Sequence, residues 1–452
     1  MTMPSRCPDL TSAVAKCGRR IVPILFLCFA AAYLDRVNVS FAQLQMQRDL
    51  GLSATAYGLG ASIFFIGYLI FEVPSNLALE RFGARLWIAR IMISWGIISG
   101  LTMFVQNQTQ FYILRFLLGA LEAGVVPAGV YYFSKWLPSE QRGRANTIFF
   151  GSIAFCGIIS SPLSGGIMQY FDDVAGLAGW QWLFMLEAFP SLVLGVVVLA
   201  MLDDKIEDAR WLTDGEKSAL SAAVTDEVRN DATHDFGAAL KQPLTWLFAI
   251  IYIGLAMGNH GLAFWMPQLV KAAGTQNVAA IGLIVMLPYL IAMVGIVLVA
   301  RSSDRTGERR WHLAGCFFTG AVGYALCASF GSSTTILVIG LSAAVTGILA
   351  AFGLFWIFPA RALTGRAAAG GMALINAIGQ IGGIIAPYMV GFIKDATGSP
   401  ANGLYAIAVV CALAATLVTF ALPRRLYYRD SGTSMRGAAT GAAPLPVGGM
   451  EA

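Results

Sequence analysis

Six ionisable residues stand inside long apolar runs of this 452-residue chain: Asp35, Arg36, Glu72, Arg115, Glu122 and Glu187. Each costs several kcal/mol in lipid unless it is paired or hydrated, so the types and places of these six carry information. An arginine can hold a carboxylate through two N–H groups at once, which a lysine does less specifically. A carboxyl group shielded from water can take up and release a proton near neutral pH. Arg36 lies midway along the first apolar run and either binds a carboxylate or pairs locally, with Asp35 or with an adjacent helix. Neighbouring helix positions diverge by about 100°, so Asp35 and Arg36 cannot share a face. One can meet the proton pathway or another helix while the other faces a cleft. Arg115 and Glu122 are seven apart, on one face but roughly 10 Å apart along the axis, too far to pair directly. Arg115 is expected to bond Asp35 or to line a cleft. Glu122 sits among Gly119, Ala120, Ala123 and Gly124, which would let another helix or a substrate approach closely.

The elements that hold these residues follow from composition. Hydrophobic residues make up 57% of the chain and charged residues only 12%, with a mean hydropathy of +0.69. That is about half the charge of a soluble domain, which excludes a soluble enzyme, a nucleic-acid binder and a disordered chain. The class left is an all-α polytopic membrane protein. The apolar runs predict twelve helices, near 21–45, 57–79, 86–105, 110–134, 145–168, 180–202, 243–270, 278–300, 311–330, 333–358, 367–393 and 402–422. The run from Ile21 imitates a signal peptide after Arg19-Arg20, but Asp35-Arg36 follows at once, so it reads as an uncleaved first span. The expected domains are a six-helix bundle over 1–202, a charged loop over 203–242, a second bundle over 243–425 and a disordered tail over 426–452. Of the thirty basic residues, twenty-five fall on one set of alternate loops and tails. Three (Arg48, Lys271, Lys394) fall on the other, and Arg36 and Arg115 lie inside helices. The positive-inside rule then places both termini in the cytoplasm.

The chain repeats itself. Asn76 to Arg85 reads N-L-A-L-E-R-F-G-A-R, and Ala300 to Arg309 reads A-R-S-S-D-R-T-G-E-R. Both carry acid-Arg-x-Gly-x-Arg, half a chain apart, which implies two homologous halves around a central cavity. The seven cysteines form no CxxC or Cys/His cluster, so no metal or disulfide framework is indicated. Gly379-Gln-Ile-Gly-Gly383 lacks the strand-turn-helix setting of a dinucleotide fingerprint and reads as close helix packing. No Walker motif is present, and no cofactor is expected.

The repeated loop motif in a twelve-span chain resembles that of the major facilitator superfamily, with Asn76 and Ala300 in place of its opening glycine and Glu80 in place of its first Asp. Pro138 to Ala145 (P-S-E-Q-R-G-R-A) resembles that superfamily's loop after the fourth helix. Three further stretches resemble its anion:cation symporter family: Tyr33 to Ala42 (Y-L-D-R-V-N-V-S-F-A), Gly67 to Asn76 (G-Y-L-I-F-E-V-P-S-N) and Arg115 to Gly124 (R-F-L-L-G-A-L-E-A-G). The resemblance implies a monomeric inner-membrane carrier that imports a small organic anion with protons by alternating access, with no nucleic-acid partner. Tartrate and sugar acids suit it best. Phthalate- or hydroxyphenylacetate-type acids, and sodium-coupled or exchange transport, are the alternatives. A membrane sensor that binds without transporting is the reading from another class.

The resemblance also implies roles. Arg36 would bind the anion, while Asp35, Glu122 and Arg115 would couple protons. Tyr68 would offer a hydroxyl to the site, and Asn376 matches a binding position. Gln380, four residues on, shares its face, with helix-to-helix bonding as the rival account. Trp356 would wall the cleft, and Asn259 and His260 would face it. Glu72 is expected to serve a cytoplasmic gate with the Arg81 and Arg85 loop, and Glu187 to be structural. Glu80, Arg81, Arg85, Asp304 and Arg305 are expected to form inter-helix salt bridges that hold the outward-facing state and break as the halves rock.

Overall fold

A computed structural model describes residues 8–228, 239–363, 367–423 and 426. The tail expected beyond 426, and Cys7, lie outside the described residues. The twelve expected spans are all present: Pro8–Asp49, Ala54–Phe82, Ala84–Phe104, Gln108–Trp136, Ser139–Tyr170, Gly179–Met201, Pro243–Ala263, Val278–Thr306, Arg310–Phe330, Thr334–Ala362, Gly370–Thr397 and Ala401–Phe420. They form two six-helix bundles. Large apolar side chains such as Val73, Leu77, Ile97, Val294, Leu298 and Leu413 point outward, as they must where the solvent is lipid.

The first span begins well before the expected Ile21. Its helix starts at Pro8 because its first turns have a partner. Ser12 Oγ donates to Glu216 Oε1 at 2.6 Å, and Lys16 Nζ pairs with Glu216 Oε2 at 2.8 Å. Glu216 also accepts from the Thr213 backbone N–H, while Thr213 Oγ1 accepts from Glu216 N, a reciprocal cap on the helix Asp214–Val228. This contact puts the central loop on the side of the membrane where the N-terminus lies, here called the terminal side. Bonds from Lys16, then Ser12, then the Thr213 amide hold the Glu216 carboxyl down at about 2. Cys17 is buried in this helix.

The two bundles are joined on the opposite, far side. Gln43 Nε2 and Tyr57 Oη both donate to the Phe264 carbonyl, at 2.8 and 3.1 Å. Lys271 Nζ donates to Leu44 O at 3.1 Å, Val278 N to Gln169 Oε1 at 3.0 Å, and Ser62 Oγ to Ile384 O at 2.6 Å. The Asp395 carboxylate accepts from Ala54 N at 3.1 Å and Thr55 N at 2.7 Å, capping the second span from the other bundle. Gly165 and Gly282 let the fifth and eighth spans touch backbone to backbone, since a Cβ on Gly165 would lie 3.0 Å from Gly282 Cα.

Candidate transport site

Five helices that carry expected site residues are interrupted next to them, while Tyr68 lies on the continuous second span. The first span breaks at Asn38, just past Asp35 and Arg36. The fourth breaks after Glu122, where Gly124 takes φ +99° before Val125–Trp136 resumes. Only glycine adopts that conformation without strain, and a Cβ there would also strike Ser75. The seventh breaks after Ala263, beyond His260, and the helix resumes over Met266–Ala272. The tenth breaks at Trp356 and the eleventh at Gln380. Interrupted helices with freed backbone groups are how membrane carriers build polar sites at mid-depth. The freed carbonyls are used: Ala123 O accepts from Ser75 Oγ at 2.6 Å, and Phe264 O takes the two far-side bonds described above.

Arg36 and Glu122 meet. Arg36 Nε and Nη2 both donate to Glu122 Oε1, the first at 3.2 Å, in a pair whose side chains are 9% and 0% exposed. The guanidinium lies 5.3 Å from the Phe64 ring and 5.6 Å from the Tyr68 ring. Glu122 Oε2 is buried with no hydrogen-bond partner among the described residues. Its approach to Arg36 is possible because small residues bring the fourth span hard against the second: a Cβ on Gly119 would lie 2.8 Å from the Phe64 carbonyl carbon.

Asp35 faces the other way, as the 100° step between neighbours requires. Its carboxylate accepts from Trp95 Nε1 at 2.7 Å, Ser99 Oγ at 2.7 Å and Ser191 Oγ at 2.6 Å, on the third and sixth spans. The expected Arg115–Asp35 bond is therefore absent. Arg115 instead donates through Nε to Gly60 O at 3.3 Å and lies over the Phe64 and Phe264 rings. Its Nη1 and Nη2 are buried without hydrogen-bond partners among the described residues. Arg115 faces the second span and Asp35 the third and sixth.

The second bundle closes the group. Asn376 Nδ2 donates to Glu72 Oε1 at 3.1 Å across the two halves, and Tyr252 Oη donates to Asn376 Oδ1 at 3.3 Å. This corrects the placement of Glu72. It is buried at the site rather than serving the Arg81 and Arg85 loop, because its helix turns that face inward while Arg81 is exposed. Trp356 packs at 5.1 Å from the Tyr252 ring, and His260 lies 4.4 Å from the Phe65 ring. Gln380 is half-buried, with Oε1 unpartnered among the described residues. Arg36 over Tyr68 on one side, and Glu72, Asn376 and Tyr252 bonded in a row on the other, line the space between the bundles.

The five loop residues behave differently. Arg85 Nε and Nη2 donate to Leu199 O in its own bundle, and its backbone N–H to Asp204 Oδ1 at the start of the central loop. Asp304 pairs with Arg309 at 2.8 Å, also within its bundle. Glu80, Arg81 and Arg305 are exposed. No ion pair joins these five across the halves among the described residues, because the bundles here meet on the far side and not at these loops.

Sequence comparison fits this geometry. The family model described as Major Facilitator Superfamily matches residues 25–387. The chain belongs to the major facilitator superfamily. The transporter is 42% identical over 412 residues to the metabolite transport protein NicT of Pseudomonas putida, covering 91% of this chain and 94% of that protein. It is 45% identical over 400 residues to an Agrobacterium vitis protein named for tartrate transport, covering 88% of each. In fold it is similar to the Escherichia coli xylose transporter XylE in a partially occluded inward-open conformation, with a TM-score of 0.72 at 14% identity, covering 89% of this chain and 97% of that one. It is a multi-pass membrane transporter and not an enzyme.

Proposed function

We propose that the transporter imports a small organic anion, a hydroxy-dicarboxylate such as tartrate or a sugar acid, by proton symport and alternating access across the bacterial inner membrane. Both termini are cytoplasmic, so the terminal side is the cytoplasm. The bundles span 1–202 and 243–425, joined by the loop 203–242, and the protein works as a monomer. The Arg36–Glu122 pair carries this reading. An internal carboxylate occupies the guanidinium that a substrate carboxylate needs, so the two compete. Protonation of Glu122 breaks the pair and frees Arg36 for the anion. Release of the proton restores the pair and expels the anion. A carrier built this way cannot hold anion and ionised Glu122 on Arg36 together, which links the two flows.

Far-side closure and the intact internal pair together suit a carrier that has released its cargo to the cytoplasm. Asp35 adds a second titratable group, Arg115 a second fixed cation, and Asn376, Gln380 and Tyr68 hydrogen-bonding groups for substrate hydroxyls, with Trp356 and His260 as walls. In the outward-facing state the approaching loops would bring Glu80, Arg81, Arg85, Asp304 and Arg305 into contact. The relative named for tartrate transport supports the substrate class. The test is uptake of labelled tartrate, glucarate and phthalate by reconstituted protein under an imposed inward proton gradient. The expected result is accumulation of a hydroxylated acid, abolished by a protonophore and by Arg36→Ala. Accumulation that needs sodium and ignores the protonophore, or binding without accumulation, overturns it.

A further inference from the structure

Glu187 stands apart from the site just described. It is 1% exposed in the middle of the sixth span. Ser164 Oγ donates to its Oε1 at 2.6 Å, and its Oε2 is buried without a hydrogen-bond partner among the described residues. The groups acting on it are Ser164 and Cys156 on the fifth span and Asn38 and the Asp35 carboxylate on the first; no cation is among them. The two buried arginines of this bundle are engaged elsewhere, Arg36 with Glu122 and Arg115 along Phe64 and Phe264. The side-chain amide of Asn38 lies beside Glu187, at the interruption of the first span, and acts on its carboxylate.

Its position along the membrane is informative. The sixth span enters from the far side at Gly179, so Glu187 lies about 12 Å in, and Ser191, which donates to Asp35, lies one turn deeper, about 6 Å further. Glu187 thus stands between the far side and Asp35.

We propose that Glu187 is the proton-entry carboxyl of this transporter, relaying protons from the far side to Asp35. The Glu187 carboxylate takes a proton from the far side and becomes neutral. It then gives that proton to the Asp35 carboxylate, returning to its anion as Asp35 becomes neutral. Asn38 and the Ser191 hydroxyl line the gap. Gln cannot carry the proton, so the replacement blocks the relay while keeping the shape.

The inference rests on the proton-symport reading above. Full-length protein is reconstituted into vesicles holding a pH-sensitive dye, and radiolabelled L-tartrate is followed in two modes: uptake driven by a pH gradient, and exchange of internal for external tartrate without net proton movement. In Glu187→Gln, driven uptake and the accompanying proton influx fall roughly tenfold or more, and exchange falls far less; Glu187→Asp recovers driven uptake. Equal loss in both modes marks a structural carboxyl and overturns the inference, as does an unchanged driven rate. Wild-type protein that moves tartrate without proton influx refutes the symport reading itself. If Glu187→Gln cannot be purified, Ser164→Ala replaces it. Loss of the one hydrogen bond moves the external pH of half-maximal driven uptake by about one unit and leaves exchange unmoved. No shift, or the same shift in both modes, overturns it.

Discussion

The competition for Arg36 can be measured directly. Glu122 Oε1 receives both guanidinium bonds that Arg36 makes in the site, so substrate binding must displace this carboxylate. If displacement requires a proton on Glu122, one proton enters for each anion bound through this pair. Linkage then makes the dissociation constant change tenfold per pH unit, or about 1.4 kcal/mol, over the range where Glu122 is ionised in the free protein. The sign is fixed: raising the pH keeps the internal pair and weakens binding. Over two pH units the wild-type protein loses about a hundredfold in affinity. Glu122→Gln cannot ionise, so this contribution vanishes and the slope of log Kd against pH falls by one, with tighter binding at high pH. Asp35, Glu72 and Glu187, the other buried carboxyls of the bundle, remain and account for any slope left. Arg115 stays cationic beside the site and is common to both proteins. The assay is equilibrium binding of labelled tartrate to purified protein between pH 5.5 and 8.5 (about three units, wide enough to resolve a slope of one). Parallel slopes in wild type and Glu122→Gln would refute the competition, whatever the absolute affinities.

Other perturbations test other parts of the architecture. Asp395→Ala removes two carboxylate bonds to the second span's first turn at an exposed position, about 1.5 kcal/mol in favour of far-side closure. A cysteine placed at Ser62, in a background lacking the seven native cysteines, should then react roughly tenfold faster with an impermeant maleimide from the far side; an unchanged rate sinks the latch. Gly124→Ala imposes a left-handed alanine and pushes against Ser75, costing about 2–3 kcal/mol, so its thermal midpoint in detergent should drop clearly, whereas Gly143→Ala, with open space around it, should not. The Glu216 carboxyl is held below its ordinary value, so its contact with Lys16 is complete above pH 4.5 and is lost as pH falls through about 2. At neutral pH, Glu216→Gln should expose the loop helix to limited proteolysis, and equal cleavage rates in the two proteins would show that Lys16 and Ser12 do not hold it.

Much of this was legible in residue order because lipid imposes simple rules. A span needs roughly 20 apolar residues and an ionisable group inside one needs a reason, so the twelve spans, the repeated halves and the charges Asp35, Arg36, Arg115 and Glu122 could all be read from sequence. The divergence of Asp35 and Arg36 followed from helix geometry alone. The partners did not. Asp35 finds Trp95 and Ser99 on one span and Ser191 on another, and only the spacing of four between Trp95 and Ser99 hinted at a shared face. Glu72 lies nine residues from Arg81 and thirteen from Arg85, yet its partner is Asn376, 304 residues away.

Sequence by itself determined how many helices cross the membrane and which of them carry charge, because hydropathy is a local, additive property of a segment. Tertiary structure alone decided that Glu122 rather than Asp35 neutralises Arg36, that Arg115 rests on aromatic rings, and that Glu72 reaches the second bundle. Those outcomes depend on rotation of each helix about its own axis and on the breaks at Asn38, Gly124, Trp356 and Gln380. Both are set by packing between different spans, from 55 residues apart for Arg115 and Gly60 to 304 for Glu72 and Asn376.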